Sequence, residues 1–199
     1  MTLGKQDAEL FYELWFPLLD FVNQKYRICP GVGTIDRSRG VDAADAKKIA
    51  DYLWSHTQML QEYIAYAKLP EEQAQIVAGW VQCKPGKYIM ERHLKKGTVF
   101  ISEDDHTVYM VKGLFSTWEE MLGKGLVLLD AVLIPFKDMI ISDGLVRVYP
   151  FHFGRGYSEA FKDIYRKAKE GKTIRFSLSG GEPEHRPNTE KKPARWKAM

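Results

Sequence analysis

The sequence is poor in the residues that would assign it quickly. It holds 2 cysteines and 5 histidines in 199 residues. Cys29 and Cys83 fall in different segments with no paired spacing, which points to two free thiols in a reducing compartment rather than a disulfide framework. No histidine has a Cys, His or carboxylate partner at a familiar ligand spacing, so neither a metal nor a cofactor is expected. Long hydrophobic runs are missing as well. The most apolar window, Leu126 to Phe136, is interrupted by Asp130 and is far shorter than the roughly 20 residues of a membrane helix. The opening MTLGKQDAELFYELWF lacks the basic start, apolar core and small-residue cleavage site of a signal peptide. The expected location is the cytoplasm, with no membrane contact.

Catalytic signatures are also absent. Ser142 adjoins Asp143 but has no Gly-x-Ser-x-Gly context. Gly31-Val32-Gly33, in the loop Cys29 to Val41, lies near Arg37 and Arg39 but lacks the lysine and hydroxyl of a phosphate loop.

What is present is the composition of a folded domain, 45% hydrophobic and 28% charged. The net charge of +3 conceals an asymmetry: Arg155 to Met199 carries 12 Lys and Arg against 6 Asp and Glu, leaving 17 against 20 for the rest. A basic C-terminal part suits contact with an acidic partner, and equally suits a solvated tail.

Along the chain, the hydrophobic period divides it in two. From Asp7 to Tyr26, Leu10, Phe11, Leu14, Trp15, Leu18, Leu19 and Val22 recur at helical steps, with Pro17 expected to kink or restart the helix. Asp42 reads as an N-cap opening one long amphipathic helix to about Lys68. Leu69-Pro70-Glu71-Glu72 starts another, which ends before Lys84-Pro85-Gly86. His56 on the long helix reads as a satisfied, partly buried residue. Beyond Pro85 the period becomes alternating. Tyr88 to Leu94, Thr98 to Ser102 and Thr107 to Lys112 form a meander of three strands. Glu103-Asp104-Asp105-His106 is an acidic turn rather than a metal loop. Ser116-Thr117-Trp118-Glu119-Glu120 fits a capping box.

The segment Val127 to Phe153 reads as one strand, a break at Lys137-Asp138, and a hairpin turning at Asp143-Gly144, since Asp-Gly favours tight two-residue turns. A helix from Ser158 to Lys169 and a strand-like Thr173 to Leu178 follow. The fold class expected is α+β: an N-terminal helical region, then a small, mainly antiparallel, strongly bent or barrel-like sheet with a C-terminal helix. The divisions are residues 1–84, 85–178 and a disordered basic tail, 179–199.

Tyr109 to Leu114, Trp118 to Leu122, Leu133-Ile134-Pro135-Phe136-Lys137, Ile140-Ile141-Ser142-Asp143-Gly144-Leu145 and Phe153-Gly154-Arg155-Gly156 together resemble a family of uncharacterised bacterial cytosolic proteins. That family has a Leu-Pro-Phe strand end, an Ile-rich Asp-Gly-Leu turn and a Phe-Gly-x-Gly step into a helix. The resemblance covers roughly Lys87 to Leu178 and implies no activity.

Three function classes remain. The favoured one is a non-catalytic binding or regulatory module touching nucleic acid through Arg147, Arg155, Lys162, Arg166, Lys169 and Arg175, which interleave with Tyr149, His152 and Tyr157. Lys191, Lys192, Arg195 and Trp196 extend the same mixture. The second is an assembly module, a protein partner or a homodimer meeting the aromatic N-terminal helices. The third is a hydrolase with a carboxylate and histidine site. There Asp130 and Asp143 are the candidate buried or functional carboxylates, and His106 and His152 the candidate bases. Alternation places Asp130 with Leu128, Val132 and Ile134 on one face of its strand, opposite Val127, Leu129, Ala131 and Leu133.

Overall fold

The computed structural model describes residues 1–178, so the tail expected to be disordered lies outside the described residues. Four helices come first: α1 (Lys5–Tyr26), α2 (Ala43–Ser55), α3 (Met59–Ala67) and α4 (Glu71–Gly79). Six strands and two helices follow: β1 (Lys84–Leu94), β2 (Gly97–Ser102), β3 (Val108–Val111), α5 (Trp118–Leu122), β4 (Val127–Phe136), β5 (Met139–Ser142), β6 (Arg147–Tyr149) and α6 (Arg155–Glu170). This is the expected α+β arrangement. Among the described residues no helix is long and apolar enough to cross a membrane.

The strands close into a ring of hydrogen bonds. β1 pairs β2, β2 pairs β3, β3 meets β5 in parallel at Val111 and Ile140, β5 pairs β4, and β4 returns to β1. β6 lies along β4 on the edge that β5 also uses. Alternation then sorts side chains into a filled interior and an outer face. Tyr88, Met90, Phe100, Val111, Leu129 and Leu133 share the interior with Trp118, the first residue of α5, whose ring meets Phe100 at 5.0 Å. Thr117 caps α5 in a complete capping box with Glu120.

Two coats cover the outside. Helices α1 to α4 and the 3-10 turn Trp80–Gln82 that follows them bury Phe11, Trp15, Trp54 and Trp80 against Val132, Ile134, Phe136 and Ile141 of β4 and β5. Helix α6 places Phe161, Tyr165 and Ala168 over Ile89, Val99, Ile101, Val108 and Met110 of β1, β2 and β3. The hydrophobic cluster of the N-terminal helices therefore crosses the boundary near residue 84.

Three local expectations are corrected. Pro17 does not restart the helix, since α1 runs from Lys5 to Tyr26 through it. Both Pro17 and Glu13, whose carbonyl loses its partner, sit on the exposed side, where water can satisfy that group. The long helix expected from residue 42 to 68 is two, α2 and α3, separated at His56 to Gln58. The His56 ring contacts the Tyr52 carbonyl at 2.9 Å while its backbone N–H turns to Leu53, so the helical ladder is diverted there.

The hairpin lies elsewhere than expected. It turns at Lys137-Asp138, with Phe136 facing Met139 and Lys137 at φ 52°. Asp143-Gly144 forms no hairpin, because β5 and β6 do not pair with each other. They run in the same direction along β4, Ser142 opposite Leu133 and Arg147 opposite Asp130, so Asp143 to Val146 is a bulge between two parts of one interrupted strand. Gly144 at φ 80° supplies the left-handed residue, and Asp143 accepts the Leu145 N–H at 3.0 Å.

Candidate functional site

Helix α6 is amphipathic in the strict sense. Positions 157, 161, 164, 165 and 168 turn toward the sheet, and Arg155, Lys162, Arg166 and Lys169 recur at seven-, four- and three-residue steps on the exposed side. At 1.5 Å per residue this stripe extends roughly 21 Å. Glu159, Asp163 and Glu170 border it, and Arg166 meets Asp163 at 3.0 Å. The stripe does not end at the helix. Lys162 and Lys169 flank Tyr165 at i−3 and i+4, and the Arg92 guanidinium lies 4.3 Å from the Tyr165 ring centroid. Arg92 belongs to the end of β1 nearest the β1–β2 turn, just after a bulge that separates it from Met90. It is oriented by Glu91, whose Oε1 accepts from Nη2 at 2.8 Å; that pairing raises its pKa.

The adjoining β1–β2 turn is Lys95-Lys96, both exposed. Lys96 Nζ stands 5.9 Å from the ring centroid of Phe176. The segment carrying Phe176 is held on β3: Arg175 donates its backbone N–H to Val108 at 2.8 Å, and its carbonyl accepts from Met110 at 2.9 Å.

The six basic residues expected to act together are therefore divided. Arg155, Lys162, Arg166 and Lys169 share one surface. Arg175 is half-buried along β3, its Nε buried and without a hydrogen-bond partner among the described residues. Arg147 lies on β6 opposite Asp130. There it lines a cavity of about 460 Å³ with Lys47, Asp51, Lys87, Glu103, Asp104 and Asp130. Charges of both signs meet in this seam, where Lys47 pairs with Asp51 at 2.6 Å and Lys87 Nζ lies 5.3 Å from the Tyr149 ring centroid. Arg92, Lys95, Lys96 and Phe176 escaped the sequence reading. The Lys95-Lys96 pair was visible as a turn, but nothing in the sequence placed it beside α6.

The carboxylates also separate. Asp130 is half-buried on the outer face, as alternation expected, in the gap between the α6 coat at Leu128 and the helical coat at Val132. It accepts the Tyr149 hydroxyl at 2.6 Å, which raises the phenol's pKa. Asp143 is buried at the junction of ring and helical coat. One oxygen accepts from Trp54 Nε1 at 2.9 Å and the other from the Leu145 N–H. Desolvation pushes its carboxyl up to about 6 despite those two donors. Both oxygens are thus committed to fixed donors, which makes Asp143 a tie between α2 and the bulge. His106 follows the β2–β3 turn and His152 precedes α6, on separate segments. Among the described residues no group of three or more His, Cys, Asp or Glu could hold a metal ion.

No protein-family model, no curated protein and no solved structure matches the chain. The resemblance drawn from the motifs between Lys87 and Leu178 rests on those residues alone.

Proposed function

We propose that this protein is a non-catalytic binding or regulatory module whose ligand is nucleic acid, held by phosphate contacts along α6. The observation that carries this reading is the single exposed stripe of Arg155, Lys162, Arg166 and Lys169, joined through Arg92 to Lys95 and Lys96. Cations spaced along a helix can follow a phosphate backbone and gain from counterion release. The closed sheet points the same way. Small five-stranded closed sheets bind oligonucleotides beside strands 2 and 3 and the β1–β2 and β4–β5 loops, an analogy of fold rather than of sequence. In this chain α6 covers the β2–β3 face, so the helix takes over as the contacting surface.

The test is binding of the full chain to single- and double-stranded nucleic acid across a salt series. Replacing Arg155, Lys162, Arg166 and Lys169 together by alanine should flatten the slope of log affinity against log salt by about 3. No binding by the unaltered chain at low salt would overturn the reading.

A second reading has one observation of its own. Tyr66 is 72% exposed, stands 5.0 Å from Phe21, and borders a groove of about 690 Å³ between α1 and α3. A surface of this kind suits a protein partner or a second copy of the chain. Sedimentation of the wild type and of Tyr66→Glu tests it: a dimer that dissociates in the variant supports it, and a monomer at every concentration argues for the first reading.

A further inference from the structure

Phe176 is 49% exposed although its backbone is fixed. Ile174 is packed within the α6 coat, whereas Phe176, two residues further along a segment pinned to β3 at Arg175, is not part of it. The ring borders a cavity of about 260 Å³ whose other walls include Lys96, Lys112, Met110, Asp138 and Met139. Lys96 comes from the β1–β2 turn and Asp138 from the β4–β5 turn, so the cavity sits between the two turns that close one end of the ring. This is smaller than the roughly 300 Å³ at which drug-sized pockets begin, the scale of a single planar heterocycle. It offers an aromatic face, a thioether wall and two ammonium groups.

From this arrangement we infer that the ligand is single-stranded nucleic acid, with one unpaired base stacked on Phe176 and the adjoining phosphates near Lys96 and Lys112. The inference rests on the nucleic-acid reading above and narrows it. In a duplex the base faces are already stacked on one another and do not reach a protein ring, whereas an unpaired base presents a free π-face. Phosphates carried along α6 and past Arg92 lead to Lys95 and Lys96, and Lys96 stands against the ring that takes the base. The fixed backbone of Phe176 means that little ordering is needed when the base arrives.

The experiment uses the full chain and fluorescence anisotropy with three labelled probes: a 12-nucleotide oligothymidylate, a 12-nucleotide oligouridylate and a 12-base-pair duplex. The unaltered protein should bind at least one single strand roughly tenfold more tightly than the duplex. Phe176→Ala should weaken that single-strand binding about tenfold and leave the duplex affinity and the thermal midpoint unchanged. Phe176→Trp should restore the affinity, with indole fluorescence quenched by the bound strand. Equal or tighter duplex binding, or single-strand binding indifferent to Phe176→Ala, overturns the inference while the nucleic-acid reading stands. Failure of all three probes to bind at low salt overturns both.

Discussion

Over β4 and β5 the ring is covered by four helices and the turn after α4, which bring Phe11, Trp15, Trp54 and Trp80 into one aromatic cluster, whereas over β1, β2 and β3 it is covered by α6 with Phe153 and Ile174 beside it. The first coat is thick and interlocked. Phe11 lies 5.7 Å from Trp80 and 6.1 Å from Phe136, and Trp15 stacks on Trp54 at 5.3 Å. The second coat is one helix deep, with apolar residues beneath and alternating charge above. Burial stabilises in proportion to apolar area removed from water, so the first coat carries more of the stability. The second leaves its outer face free to be charged. The same sheet thus supports architecture on one side and an available surface on the other.

The comparison breaks most sharply at Phe11. Phe11→Ala should cost about 3–5 kcal/mol and lower the thermal midpoint, followed by circular dichroism, by roughly 10 °C. A loss below about 1 kcal/mol would show that the aromatic coat is not what holds the ring.

Next in size is the pH dependence carried by Asp143. Its folded pKa, about 6, is above its usual 3.8, so the folded protein binds the proton more tightly than the unfolded chain. The sign follows: the associated stability is fully present below about pH 4 and is lost as pH rises through 6, a swing on the order of 3 kcal/mol. Hydrogen bonds and ion pairs lower the pKa of Asp36, Asp45, Glu62 and Glu120, an opposite trend that a difference measurement removes. An asparagine side chain in place of Asp143 offers only one acceptor to two donors, a loss independent of pH. The free-energy gap between the wild type and Asp143→Asn should therefore narrow from about pH 4.5 to about pH 7.5 in urea unfolding. A gap constant with pH would mean that Asp143 is already charged throughout.

A smaller effect separates the two coats directly. Phe161→Leu should cost about 1 kcal/mol and speed amide hydrogen exchange in α6 while leaving α1 protected. Equal acceleration in both helices would show one cooperative unit. Smallest of all, Lys162→Glu with Lys169→Glu should move unfolding by no more than about 0.5 kcal/mol. A larger change would place those lysines in the stability of α6 instead of on its free face.

How far the sequence could be read depended on whether one side chain or several distant segments decided the outcome. The capping box at Thr117 and the alternation of β4 were legible because each involves neighbours a few residues apart. The same local logic misplaced the hairpin. Asp143-Gly144 has the turn chemistry, but β4 offers one long edge to both β5 and β6, and pairing along that edge outweighs a local preference. Pro17 fails to restart the helix for a similar reason, since the cost of its missing N–H depends on whether that side of the helix meets water. Of the candidate site, the stripe on α6 was within reach because four of its residues share a helical period. Arg92, Lys96 and Phe176 were not, since they come together only when β1 and residues 173–178 pack beside α6.

The sequence by itself determined the two hydrophobic periods, the α+β class and the amphipathic character of α6, because each arises from contacts within one element. Tertiary structure alone decided that the sheet closes into a ring. It also divided the six expected basic residues between α6, the segment along β3 and the seam at β6, and it enclosed Asp143. Those outcomes depend on which distant surfaces meet, and side-chain spacing fixes a face without specifying what will cover it.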